Sequence, residues 1–267
     1  MKPDLLRGAK RKATIRNRRF YGMTIGIGLI CKGGVILASD SRTEDESGLK
    51  RFDLKKISEI QCGEIKCLIA RSGTTVLSGR AVDLIQSRAT DQSPQTVSNL
   101  LEIVRTSVAQ VRRDFLASNP NLDYASPNGR FSLIVATYDG TPRLHIAEHN
   151  TAAVQPELGG KAYIGSGKIL ADYILSDVDM SDILPGEAGR AATYAVEVAK
   201  MRDSECEGPS LVAGITASGV IFQRKERTEE SEKICREYEA KNQIEWVQSM
   251  FHWMRANRKK TDFKNET

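Results

Sequence analysis

Apolar and polar positions alternate with two different periods along this chain, and the period changes several times. Between residues 24 and 70, short apolar runs are separated by Gly-Gly and Cys-Gly pairs, a pattern typical of β-hairpins. Between residues 76 and 117, apolar positions recur every three to four residues, which predicts two helices, the second opening at Ser93 and Pro94. Further along, the pattern predicts strands at 131–140, 143–150, 153–158 and 162–164, helices at 168–177 and 186–203, a hairpin at 211–223 and a charged helix at 228–258.

This order of elements indicates an α+β fold. Hairpins interleaved with pairs of helices favour two antiparallel sheets packed face to face, with helices covering both outer faces. No linker divides residues 24–223, so we expect one domain there. Residues 1–23 are predicted to be a basic extension or propeptide, disordered by composition, and residues 224–267 a charged helical extension.

Charge is distributed unevenly and narrows the choice of partners. The net charge is +5, but residues 1–22 contain eight basic residues and one acidic residue. The remainder therefore carries a small negative charge, which disfavours nucleic-acid binding by the folded body and confines that hypothesis to the basic arm. The arm has no continuous apolar stretch typical of a secretory signal, and no run is long enough to predict a membrane span.

Cysteine and histidine provide little support for metal or histidine-dependent chemistry. The five cysteines are widely spaced and odd in number, which favours reduced thiols in a cytoplasmic protein. The chain has three histidines, His145, His149 and His252, and none adjoins a turn typical of a nucleophile. His145 and His149 are interpreted as solvated strand positions rather than metal ligands. With no phosphate-binding loop either, the sequence predicts no metal and no cofactor.

The first hairpin carries the residues with the clearest chemical potential. If Thr24 became the first residue of the mature chain, its hydroxyl would be a nucleophile and its α-amino group, titrating near ~8, the nearest base. Lys56 would favour loss of the threonine proton, and Asp40 would keep that lysine charged and oriented. Backbone N–H groups at the Ser72-Gly73 turn are the predicted oxyanion hole.

The segment 24–57 resembles the start of a proteasome β-subunit, an N-terminal-nucleophile (Ntn) threonine peptidase. Without a gap, Thr24 falls on the nucleophile of that family and Lys56 on its catalytic lysine. Asp40 and Arg42 fall on the first and last residues of its Asp-Ser-Arg element, which gives Arg42 a supporting role. The resemblance implies a four-layer αββα sandwich that assembles into rings.

Two further elements extend the resemblance over most of residues 24–223. The family's Gly-Ser-Gly element matches at Ser166, and its Arg-Asp-Ser element matches at Asp203. By this match, Ser166 and Asp203 would support the threonine and its amine. Cys206 stands where the family has a second supporting serine, and a thiol is a weaker hydrogen-bonding group.

Two departures point to one branch of the family. Met23 precedes the threonine, where self-processing members carry glycine, and the chain after residue 224 is longer than in standard β-subunits. Both features are similar to the bacterial proteasome-related Anbu type. If Met23 is the initiator, ordinary methionine removal exposes the amine of Thr24, and we favour this interpretation over cleavage of a longer propeptide.

The resulting prediction is a threonine-type endopeptidase. Thr24 would hydrolyse polypeptide substrates, and the chain would be one subunit of a homo-oligomeric ring in the cytoplasm. The alternatives are a catalytically inactive structural subunit of such a ring and a nucleic-acid-associated protein that uses the basic arm. An unfoldase or activator is not indicated by the sequence.

Overall fold

The structure is a computed structural model that describes residues 24–44, 50–52, 55–121, 129–151, 153–157 and 159–241. The predicted extension 1–23 and the end of the chain from 242 lie outside these residues. None of the helices within them is long and apolar enough to cross a membrane. The described strands are β1 Ile25–Cys31, β2 Gly34–Ser39, β3 Arg42–Glu44, β4 Lys50–Phe52, β5 Ile57–Cys62, β6 Ile65–Gly73, β7 Phe131–Tyr138, β8 Pro142–Glu148, β9 Val154–Pro156, β10 Lys161–Gly165, β11 Leu211–Thr216 and β12 Gly219–Phe222, and the helices are α1 Thr75–Gln92, α2 Val97–Ser118, α3 Lys168–Leu175, α4 Pro185–Arg202 and α5 Lys225–Lys241.

The predicted α+β class is confirmed, and two local predictions need correction. Helix α2 begins at Val97 with Thr96 as its N-cap, whereas Ser93 adopts a left-handed backbone, with φ of 44°, and ends helix α1. The Thr96 side chain accepts a hydrogen bond from the backbone N–H of Asn99, which is the usual capping contact. Strands β3 and β4, a separate two-stranded ribbon, were not predicted.

The first sheet is built around the hairpin of β1 and β2. Its strand order is β10-β1-β2-β11-β12, and all neighbours are antiparallel. The large residues of β1, such as Ile27, point to the helix side of the sheet. Gly26 and Gly28 point the other way, where Ile134 and Leu144 of the second sheet lie within 4 Å of the positions that their Cβ atoms would take. Small residues on this face therefore allow the second sheet to pack closely.

The second sheet has the order β5-β6-β7-β8-β9, again antiparallel. One cluster of buried residues, including Leu37 and Leu68, lies between the two sheets. A second cluster of buried residues lies between the first sheet and helices α3 and α4. A third lies between the second sheet, at strands β5, β6, β7 and β8, and helices α1 and α2. The packing order is thus two helices, sheet, sheet and two helices.

Helix α5 is bound to helix α4 by a buried ionic network. The ammonium of Lys200 contacts the carboxylates of Glu197 and Glu232, the latter at 3.0 Å. Glu232 also accepts a hydrogen bond of 2.6 Å from the backbone N–H of Ser210. Because these carboxylates are buried, each requires such partners to offset its lost hydration. The start of the predicted C-terminal extension is therefore attached to the same body as the sheets.

We expect the helix–sheet contact to contribute strongly to stability, and Ile85 in α1 is a direct test. Ile85 is fully buried under the second sheet, whereas Ile169 in α3 is 75% exposed. Ile85→Ala should lower the free energy of unfolding by about 2–5 kcal/mol, because it removes buried apolar surface and leaves a cavity. Ile169→Ala, the matched control in another helix, should change it by less than about 0.5 kcal/mol. Urea unfolding measures both, and similar losses would contradict the assigned packing.

Candidate active site

Three side chains that the sequence singled out meet where the two sheets face each other. Thr24 directly precedes β1 and Asp40 directly follows β2, so antiparallel pairing brings them to the same end of the hairpin. Lys56 directly precedes β5 in the second sheet, and its carbonyl accepts a hydrogen bond of 3.0 Å from the N–H of Arg71. The site is therefore assembled from both sheets.

The hydroxyl of Thr24 lies between a cation and an anion. Its Oγ1 donates to Asp40 Oδ1 and accepts a hydrogen bond of 2.5 Å from Lys56 Nζ. Lys56 Nζ is also 2.9 Å from Asp40 Oδ1. All three residues are at most 4% exposed. An adjacent ammonium favours negative charge on the hydroxyl oxygen, and the carboxylate offsets the cost of burying that ammonium.

Asp40 is held by groups that the sequence analysis did not predict. Its carboxylate accepts hydrogen bonds from the backbone N–H groups of Ile25, at 3.1 Å, and Glu207, at 3.3 Å. The neighbouring Ser39 is fully buried, and its hydroxyl lies 2.8 Å from the carbonyl oxygens of both Ile25 and Asp40. A polar residue at the end of an otherwise apolar strand was the one available signal for Ser39.

Ser166, Asp203 and Cys206 form a second cluster. Ser166 Oγ donates to Asp203 Oδ2 at 2.8 Å, and the Cys206 sulfur is 3.8 Å from the same oxygen. Burial, together with the charges of Asp40 and Asp203, raises the pKa of the Cys206 thiol well above its usual value. Cys206 is consequently a neutral and weak hydrogen-bond donor at this position.

Backbone contacts connect this cluster to Thr24. Strand β10 pairs with β1 so that Gly165 opposes Ile25, and the N–H of Gly167 lies 3.4 Å from the carbonyl oxygen of Thr24. Gly165 has a φ of +87°, and a Cβ there would lie 1.9 Å from that carbonyl oxygen. Only glycine fits this approach, which brings Ser166 to the same end of the sheet as Thr24.

Arg42 joins the end of the first hairpin to the loop that carries Asp203. Its guanidinium donates to the carbonyl oxygen of Ser204 and lies 3.3 Å from the Glu205 carboxylate and 3.6 Å from that of Glu207. The backbone N–H of Arg42 also donates to the Glu207 carbonyl at 3.0 Å. The predicted supporting role of Arg42 thus corresponds to contacts with one loop, whose two glutamates the sequence analysis missed.

A cleft opens beside the Thr24 hydroxyl. It has an empty volume of about 350 Å³, part of it open to solvent. Ser72 and Gly73, where β6 leads into α1, lie on its wall. Gly73 has a φ of +89°, and a Cβ would lie 2.4 Å from the Arg130 carbonyl oxygen. The lining consists of Thr24, Arg42, Thr43, Lys56, Arg71, Ser72, Gly73, Thr75, Ser78 and Glu205.

Metal-ligating side chains do not converge in the described part of the chain, where no group of three or more His, Cys, Asp or Glu is suitably placed. His145 is buried on β8, and burial lowers its pKa below the usual value. The ring of His149 packs against Phe131, with 5.7 Å between the ring centroids. Neither histidine is a solvated strand position, which corrects that expectation.

The fold can be compared with known proteins. No protein-family model and no curated protein matches the chain. Solved structures do match: Anbu (ancestral beta-subunit) from Yersinia bercovieri has a TM-score of 0.65 and 15% identity, over 80% of this chain and 94% of that one. The chain has the fold of an Anbu protein. Anbu from Hyphomicrobium sp. strain MC1 matches with a TM-score of 0.66 and 16% identity, over 84% and 99% of the two chains.

The Anbu likeness confirms, for the fold, the resemblance noted in the sequence. A mutant of the Hyphomicrobium Anbu also matches, with a TM-score of 0.65 and 16% identity over 84% of this chain and 99% of that one. At these identities the comparisons establish the shared fold alone. The roles of individual residues therefore depend on the geometry of the site.

The burial of Lys56 and Asp40 predicts how substitutions of this pair change the free energy of unfolding. Asp40→Asn removes the carboxylate charge beside a buried ammonium, and we expect the free energy of unfolding to fall by about 3–5 kcal/mol. The double variant Asp40→Asn/Lys56→Met should recover part of that loss, because no buried charge is left uncompensated. Urea unfolding of both proteins measures the difference.

The exposed ion pair of Glu102 and Arg105 is the control for this experiment, since both side chains are about half exposed. Glu102→Gln should leave the free energy of unfolding almost unchanged, as is usual for surface pairs. A loss for Asp40→Asn no larger than for Glu102→Gln would contradict the described burial of the Lys56–Asp40 pair.

Proposed function

We propose that this protein is a threonine-type endopeptidase whose nucleophile is Thr24 at the N-terminus of the mature chain. The observation that carries the proposal is the contact of the Thr24 hydroxyl with Lys56 and Asp40 at the wall of a cleft. The fold shared with the Yersinia Anbu, which is called an ancestral beta-subunit, supports it.

The reaction proceeds by covalent catalysis. The α-amino group of Thr24, titrating near ~8 as in model peptides, takes the hydroxyl proton while Oγ1 attacks the peptide carbonyl. The amine then returns the proton to the departing amine of the substrate, which leaves an ester between Thr24 and the acyl part. Water, deprotonated by the same amine, attacks the ester, and release of the acid regenerates the hydroxyl.

Other residues stabilise charge along this path. Lys56 stabilises negative charge on Oγ1, and the backbone N–H of Gly73 donates to the tetrahedral oxyanion. The N–H of Ser72 is directed instead at Ser132 of the neighbouring strand β7. Ser166 and Asp203 orient the α-amino group, and Cys206 supports Asp203. This assignment requires no metal and no cofactor.

The proposal includes the setting of the enzyme. Polypeptides are the expected substrates, and we expect the chain to act as one subunit of a homo-oligomeric ring. The word "beta-subunit" in the name of the Yersinia protein supports a place in a larger assembly. We place the protein in the cytoplasm, because all five cysteines are buried free thiols, the usual state in a reducing compartment.

Substitution of Thr24 tests the nucleophile. Thr24→Ala should lower peptide turnover by a factor of at least about 10³, because no other hydroxyl takes part in the ester. Thr24→Ser should retain measurable turnover and form an acyl-enzyme detectable by intact mass. Turnover is measured on a quenched-fluorescence peptide library with protein starting at residue 24.

The control is Thr90→Ala, on the exposed side of helix α1, which should turn over peptides at the original rate. If Thr24→Ala were as active as Thr90→Ala, the assignment of the nucleophile would be wrong. If the unsubstituted protein showed no turnover of any peptide, the result would favour the alternative of a catalytically inactive structural subunit.

The state of the N-terminus is a separate prediction. N-terminal sequencing of the protein from its natural host should yield Thr24 as the first residue, because an amide at that nitrogen cannot act as the base. A protein expressed from Met23 should lose the methionine and be active. One that retains residues 1–23 should be inactive, and equal activity of the two forms would contradict a role for the free amine.

A further inference from the structure

Glu205 is an acidic residue on the cleft wall whose position is determined by contacts to the site. Its backbone N–H donates to Asp203 Oδ1 at 3.0 Å, and its carboxylate lies 3.3 Å from the Arg42 guanidinium. The Arg42 side chain is only 6% exposed, whereas the Glu205 side chain is 30% exposed. The carboxylate is therefore held in one place and still reaches solvent in the cleft.

The charge of Glu205 is only partly neutralised, because its cationic partner is shared. Two carboxylates approach Arg42, those of Glu205 and Glu207. The guanidinium of Arg42 also donates one hydrogen bond to the carbonyl oxygen of Ser204. Glu205 therefore has capacity for a further cation, and of the two glutamates it is the one that lines the cleft.

Besides Arg42, the described lining of the cleft contains two cationic side chains, those of Lys56 and Arg71, and each contacts a group other than Glu205. Lys56 neutralises the buried Asp40. The guanidinium of Arg71 donates to the carbonyl of Thr75 at 3.3 Å and lies against Gly79 of helix α1, where a Cβ would be 2.7 Å from it. Arg71 is thus held against the start of helix α1, whereas Glu205 belongs to the loop after helix α4. Among the described residues that line the cleft, Glu205 is the one carboxylate.

We propose that Glu205 is a specificity-determining residue that selects peptides with a cationic side chain close to the scissile bond. The inference rests on the proposed peptidase function and adds a substrate class to it. An ionised carboxylate has about four lone-pair sites, so an arginine or lysine of the substrate can share it with Arg42. The exposed fraction of Glu205 is the part that such a group contacts.

Matched peptides test this inference. Three peptide series differ at one scanned position, which carries arginine, glutamine or glutamate, and kcat/KM is measured for each. Binding of the same peptides to the Thr24→Ala protein is measured by fluorescence anisotropy. At the best position we expect arginine to be preferred over glutamine by about two- to fivefold, the effect of one partly exposed charge pair. The preference should weaken as salt rises from about 0.05 to 0.5 M.

Two glutamine variants separate Glu205 from its neighbour. Glu205→Gln should reduce the arginine-to-glutamine ratio to about one. Glu207→Gln, which leaves Arg42 with Glu205 alone, should lower the ratio by less and keep a preference for arginine. A ratio unchanged in Glu205→Gln, an equal loss in both variants, or a preference for glutamate in the original protein would overturn the inference.

The binding measurements distinguish this inference from the proposed function. An arginine preference in binding that depends on Glu205, without any cleavage, would support the role of Glu205 and count against the peptidase. Cleavage without an arginine preference would overturn the role of Glu205 and leave the peptidase in place.

Discussion

A salt bridge almost entirely withdrawn from water is the interaction on which the rest of this structure depends. Lys56 and Asp40 come from different sheets, and their charged atoms are 2.9 Å apart. Neither charge is tolerable alone in such surroundings, so the two sheets must meet in one register for the pair to form. The hydroxyl of Thr24 occupies the position where both side chains can contact it. The salt bridge that stabilises the contact of the two sheets is therefore also the one that contacts the candidate nucleophile.

The packing of the sheets makes this meeting possible. Strand β1 turns its large side chains toward helices α3 and α4 and its glycines toward the second sheet. Side chains of the second sheet, among them Ile134 and Leu144, fill the space above Gly26 and Gly28. A larger residue at Gly28, where a Cβ would lie 2.9 Å from Leu144, would push the sheets apart, and the separation of Asp40 from Lys56 would change with them. The packing between the sheets therefore also determines the geometry of the candidate site.

Local patterns in the sequence predicted the class of the fold, because hairpins and helices have strong periodicity. The resemblance to proteasome β-subunits is what assigned Asp40 and Lys56 to the surroundings of Thr24. The local patterns failed for three different reasons, the first of which is competition between two local signals. Ser93 precedes a proline, as a helix N-cap often does, yet it ends helix α1, and Thr96 supplies the cap of α2. The ribbon of β3 and β4 has strands of three residues, too short for an alternating pattern. The contact of Asp40 with Glu207 spans 167 positions, and no local pattern reports such a pair.

The docking of helix α5 on α4 has a consequence for how the C-terminal part of this chain can vary. The loop between Asp203 and Ser210 is held at one end by Arg42 and at the other by Glu232 of α5. The appended helix thus braces the same loop that delivers Asp203 and Glu205. A change of residue near Glu232 would therefore alter the support of this loop and, through the loop, the positions of Asp203 and Glu205.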